Sequence, residues 1–144
     1  MIYVLDTNVL SETMKPQPAP ALAAWMRAQP ARSLYTTAIC QAEILAGIAL
    51  LPVGRRRMEL EAMARAIFND AFEGRILAFG TESATAYAEV FAMRRRSGRP
   101  IATADLLIAA VARAHEATVV TRDVGGFSNC GVALVDPWGS TRRR

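Results

Sequence analysis

Five short stretches of mainly apolar residues punctuate the chain, at residues 2–5, 34–37, 76–79, 118–121 and 132–135. None is long enough for a helix, and none alternates apolar with polar strictly, which marks strands covered on both faces. The stretches between them follow helical spacing. Asp6-Thr7-Asn8 supplies capping side chains ahead of Val9 and Leu10. Residues 21–29 carry Leu22, Trp25 and Met26 on one stripe. Residues 38–51 are apolar nearly all round, and residues from about 55 to 73 are amphipathic. Residues 82–96 close in Arg94-Arg95-Arg96, and residues 103–115 are almost wholly apolar after Asp105. Prolines and glycines at 16–20, 52–54 and 98–100 interrupt these runs. Strand and helix alternating in this way predict an α/β fold, a parallel sheet between two helix layers in a three-layer α/β/α sandwich. Its crossovers are right-handed, and its functional crevice lies beyond the carboxyl ends of the strands.

That crevice directs attention to four acids. Asp6 follows the first strand directly, and Asp123 comes just after the fourth. Asp105 opens an apolar helix, and Glu43 is the sole charge within another. Asp6, Asp105 and Asp123 each have an ordinary structural explanation, as an N-cap, a first-turn acid and a turn residue. Glu43 resists one. Its helical neighbours Ile39, Cys40, Ala46 and Gly47 offer no cation, and a carboxylate on such a face is costly unless paired or bound to metal. Taken together, the four read best as one group. Carboxylates gathered without a cation repel one another, and a divalent ion removes that cost. Oxygen-only ligands suit a hard cation such as Mg²⁺, as one or two ions. The residues disfavour a zinc site, because no Cys/His cluster is present and His115 is the single histidine. Carboxylate-held ions activate water and neutralise charge on a phosphodiester under attack.

Charge sharpens this picture. Lys and Arg total 17 against 13 Asp and Glu, and all but Lys15 of the cations are arginine. Setting four acids aside in one site leaves a shell of about +8, which suits a polyanionic partner such as nucleic acid. Arg94, Arg95, Arg96, Arg99 and Arg122 are candidate phosphate contacts, as is Arg55-Arg56-Arg57. Solvated helix faces would account for the clusters equally. Length bounds the chain to one domain over residues 1–138, with 139–144 expected to be a disordered basic tail. The apolar fraction of 52% excludes general disorder. No apolar run reaches bilayer length, and Asp6 cuts the first one too early for a signal peptide. Two cysteines are too few for a disulfide framework, which points to a reducing, cytoplasmic setting.

Leu5-Asp6-Thr7-Asn8, Ala42-Glu43-Ile44, Ala104-Asp105-Leu106-Leu107-Ile108-Ala109 and Thr121-Arg122-Asp123, followed by Phe127, resemble in order the motifs of the PIN-domain nucleases. The chain is most similar to VapC-type toxins of toxin–antitoxin pairs, in particular the FitB-like branch. The resemblance spans Met1 to about Trp138. It implies a five-stranded parallel sheet of order 3-2-1-4-5 and Mg²⁺- or Mn²⁺-dependent endoribonuclease activity. It also implies homodimers and a cognate antitoxin that occludes the site. On this basis Asp6, Glu43, Asp105 and Asp123 are the metal-site carboxylates, and Thr7, Asn8 and Thr121 orient carboxylates or water. The chain departs from many relatives in carrying Arg122 where they carry Asn, and in Gly125-Gly126 ahead of Phe127. Two rival functions stand beside the nuclease. One is a PIN-like RNA-binding protein without catalysis. The other is a Mg²⁺-dependent phosphoaspartyl phosphatase or receiver-type protein with Asp6 as nucleophile, disfavoured because Asn8 replaces its second acid and its late lysine is absent.

Overall fold

The computed structural model describes residues 1–139 and 142–143, the last two by their backbone alone. β1 (Tyr3–Leu5) runs into α1 (Thr7–Thr13), followed by α2 (Pro20–Ala28) and β2 (Leu34–Thr37). Next come α3 (Ala38–Ala49), α4 (Arg55–Arg65) and β3 (Ile76–Leu77). The chain continues through α5 (Thr81–Arg96), α6 (Thr103–Ala114) and β4 (Thr118–Val120). It ends in α7 (Val124–Phe127), β5 (Leu134–Val135) and β6 (Arg142–Arg143).

The sheet has the order β3-β2-β1-β4-β5 with every neighbour parallel, as the sequence predicts. Tyr3 pairs with Leu34 on one side of β1 and with Thr118 on the other. β6 adds an antiparallel strand outside β5. The basic tail expected over 139–144 therefore contributes a strand at Arg142–Arg143, while Ser140, Thr141 and Arg144 lie outside the described residues.

Consecutive burial along β1 and β4 follows from helices covering both faces of the sheet. Val4, Leu5, Val9, Leu10, Leu22, Val119, Val120 and Phe127 are almost fully enclosed. Each such side chain contributes about 1.5–3 kcal/mol by leaving water. Trp25 packs edge-on against Tyr3 at 5.0 Å between ring centres, so the Leu22–Trp25 face belongs to the core. Cys40 and Cys130 are buried free thiols.

Two expectations change in detail. The helix predicted from 55 to 73 becomes α4 followed by a wider π-helical turn at Ala66–Ala71. Arg75 closes that turn by donating to the carbonyls of Ala31, Leu34 and Ala71, which joins it to the start of β2. α3, apolar on nearly every face, buries only Cys40, Ile44 and Ile48. Leu45 is 47% exposed and Leu50 87%.

The order of strands reverses between β1 and β4, the central pair. A crevice opens at the carboxyl ends of such a pair, because the two chains leave in opposite directions.

Candidate active site at the carboxyl end of the sheet

Asp6 is the first residue past β1. Its amide donates to Val120 O at 3.1 Å, which continues the β1–β4 ladder, and its carbonyl accepts from Leu10 N at 3.1 Å, which starts α1. One carboxylate oxygen, Oδ1, accepts from Val9 N at 3.0 Å and caps the helix. The other, Oδ2, accepts from Thr121 Oγ1 at 2.6 Å. Asp6 is thus both the predicted N-cap and a group turned toward the β4 end. It is 4% exposed. Burial raises its pKa above the ordinary 3.8, and the charges of Asp105 and Asp123 push the same way. The hydrogen bonds from Thr121 and Val9 act against them.

Thr121 is fully buried one residue beyond β4. Its hydroxyl donates to Asp6 and accepts from Asp123 N at 2.9 Å. Asp123 then caps α7, its Oδ1 accepting from Gly126 N at 3.0 Å. A Cβ at Gly126 would stand 2.8 Å from Asp123 Cγ, so a larger residue there would push this carboxylate from its present position.

Asp105 lies half-buried in the first turn of α6. Burial raises its pKa, the negative charges of Asp123 and Glu43 add to the rise, and Arg94 opposes it. Glu43 completes the group from α3. Thr7 Oγ1 donates to its Oε1 at 2.5 Å. The structure corrects one expectation here. Glu43 sits on an exposed stretch of α3, so it is not a carboxylate forced against apolar neighbours. Asn8 is exposed in the first turn of α1.

All four acids therefore interact electrostatically through Asp105, across a separation of up to 117 residues in sequence. Among the described residues the ion pairs engage Glu12, Glu59, Glu61 and Glu89, and none takes Asp6, Glu43, Asp105 or Asp123. Among the same residues, no three acidic, histidine or cysteine side chains converge as ligands on one point. The donor set is nonetheless all oxygen, anionic and without a protein cation in contact, which is the chemistry of a hard divalent ion. Thr7, Met14, Lys15, Glu43, Ile48 and Arg56 border a groove of about 370 Å³ that leads away from the Glu43 side.

The arginines divide. Arg95, Arg96, Arg99 and Arg122 are exposed; Arg95 stacks over Phe91 and Arg122 over Trp138, at 5.3 and 5.0 Å. Arg55 and Arg57 pair with Glu59 and Glu61 along α4. Arg94 does not behave as a phosphate contact. It is 5% exposed, and its guanidinium is spent on backbone carbonyls. The signal lay in helical register: Ser83, Ala86, Val90 and Arg94 form one buried stripe, which Arg95 and Arg96 leave.

A parallel sheet of this order with oxygen donors gathered at its central strand ends defines the class. The PIN domain model matches residues 3–131, and the chain belongs to the PIN-domain family. Among curated relatives, it is 40% identical over 137 residues to "VapC ribonuclease Y4jK" of Sinorhizobium fredii, covering 95% of this chain and 98% of that one. It is 39% identical to "Toxin FitB" of Neisseria gonorrhoeae, covering 95% and 99%. Among solved structures, FitAB bound to an IR36 DNA fragment superposes with a TM-score of 0.91 at 37% identity, covering 99% of this chain and all of the other.

Proposed function

We propose that this chain is a divalent-metal-dependent endoribonuclease, the toxin of a toxin–antitoxin pair, acting in the cytoplasm. What carries the reading is the unneutralised acid group around Asp6 at the central strand ends, in a chain 40% identical to a protein named a VapC ribonuclease. Asp6, Glu43, Asp105 and Asp123 would hold one or two Mg²⁺ or Mn²⁺ ions. Such an ion supplies positive charge to the phosphodiester and acidifies water. Thr121 and Thr7 hold the Asp6 and Glu43 carboxylates in place through their hydroxyls. Asn8, exposed beside them, orients water or substrate. Arg95, Arg96, Arg99 and Arg122 take RNA phosphates, with affinity that falls as salt rises.

The antitoxin and a second copy of the chain are the proposed protein partners. The solved FitAB complex supports the first, and the bare apolar residues Leu45, Leu50 and Val53 on and beyond α3 support cover by protein. Among the described residues no helix is long and apolar enough to cross a membrane.

The test is cleavage of RNA by the purified chain with Mn²⁺. Internal cuts that vanish with EDTA are expected. RNA binding without cutting under both conditions would replace this reading with that of a non-catalytic binder.

A further inference from the structure

Arg94 is a buried cation at the end of α5 that takes no part in the ion pairs found among the described residues. Its Nε donates to Arg99 O at 2.6 Å and its Nη2 to Pro100 O at 3.5 Å. These carbonyls belong to the segment that leads into α6 and so to Asp105. Its Nη1 donates to Gly126 O at 2.9 Å and Ser128 O at 2.7 Å, with Cys130 Sγ at 3.8 Å. Those partners belong to α7 and the turn after it. One planar fork thus binds both segments, a geometry that a lysine ammonium does not reproduce.

Gly126 carries the connection inward. Its carbonyl accepts from Arg94 while its amide donates to Asp123. The Asp123 amide donates to Thr121 Oγ1, and that hydroxyl donates to Asp6. A continuous run of hydrogen bonds therefore joins the Arg94 guanidinium to the Asp6 carboxylate, 88 positions away in sequence. Arg94 also lies near enough to Asp105 to act on it electrostatically.

We propose that Arg94 is a positioning residue: it locks the segments carrying Asp105 and Asp123 into one unit and, through Gly126 and Thr121, fixes Asp6 against them. The inference rests on the nuclease reading for its consequence in turnover, but not for its consequence in structure. Arg94 touches neither substrate nor ion, and acts by holding groups that do.

The experiment compares wild type, Arg94→Lys and Arg94→Met well below their melting temperatures. Amide hydrogen exchange at 98–103 and 124–131 is expected to quicken in both variants, more in Met than in Lys. Turnover on RNA should fall about 10–100-fold, the scale of lost outer-sphere support, with KM for RNA within twofold. The Mn²⁺-induced rise in melting temperature should shrink. Unchanged turnover and Mn²⁺ response in folded variants would overturn the proposal, and so would a rise in KM alone, which marks an RNA contact. If neither variant folds, exchange in the wild type decides: one shared opening free energy for the two segments supports the lock, and separate ones refute it. A wild type that cuts no RNA would sink the nuclease reading while leaving the exchange result to judge Arg94.

Discussion

The acid group has two halves built on different terms. On the strand side, Asp6 is enclosed, its two oxygens are held by Val9 and Thr121, and Thr121 also engages the backbone of Asp123. On the α3 side, Glu43 stands exposed, and Thr7 is the hydrogen-bond partner of its carboxylate. The first half forms only when β1 and β4 lie side by side, so it shares the stability of the sheet. The second rides on a helix whose outer face is uncovered. The contrast teaches that a common charge does not mean a common dependence on the fold. Burial makes Asp6 costly to keep ionised and places it reliably, whereas Glu43 lies on an exposed helix face where the Thr7 hydroxyl meets its carboxylate.

The largest expected effect separates the halves by stability. Asp6→Asn and Glu43→Gln should each lower RNA cleavage by at least about 10²–10³-fold, the scale on which one transition-state electrostatic contact is felt. In the absence of metal, Asp6→Asn should melt at the same temperature as wild type or higher, because it removes a buried charge facing Asp105 and Asp123. Glu43→Gln should stay within about 0.5 kcal/mol. Thermal denaturation in EDTA beside a cleavage assay checks both, and a destabilised Asp6→Asn would break the contrast.

The hydroxyls sharpen it. Thr121→Val leaves the Asp123 amide without an acceptor and Asp6 Oδ2 without its donor, and should cost about 1–3 kcal/mol with about 10–100-fold in turnover. Thr7→Val loosens an exposed carboxylate and should cost under about 0.5 kcal/mol, with about tenfold in turnover. Denaturant unfolding would show the ordering, and equal losses would contradict it.

The smallest effect is in pH. The folded chain raises the pKa of Asp6 and Asp105, so it binds their protons more tightly than the unfolded chain does. Stability of the metal-free protein should therefore rise as pH falls from above the raised values toward the ordinary 3.8. Asp6→Asn should flatten that slope in melting temperatures taken across pH, whereas an unchanged slope would place the dependence elsewhere.

Much of this was legible in the residues themselves. The apolar runs locate all five parallel strands, and an acid immediately after a strand reads as a crevice group because topology allows little else. Arg94 shows where such reading stops. Three consecutive arginines at a helix end look solvated, and only the stripe from Ser83 through Val90 separates the first from its neighbours. Its partners, moreover, are carbonyls of segments that composition cannot bring together. The exposure of Glu43 was hidden for a similar reason, since an apolar helix does not announce which of its faces the monomer leaves open. The π-helical turn at Ala66–Ala71 depends on Arg75 reaching back to Ala31 and Leu34, a non-local contact that periodicity does not register.

The pairing of β1 with β4 has a consequence for synthesis on the ribosome. Thr121 and Asp123 are made 115 and 117 residues after Asp6. Until then β1 lacks its inner neighbour, and the segment that orients Asp6 does not exist. A chain wired in this order cannot gather its acids at the strand ends until the segment after β4 has been made.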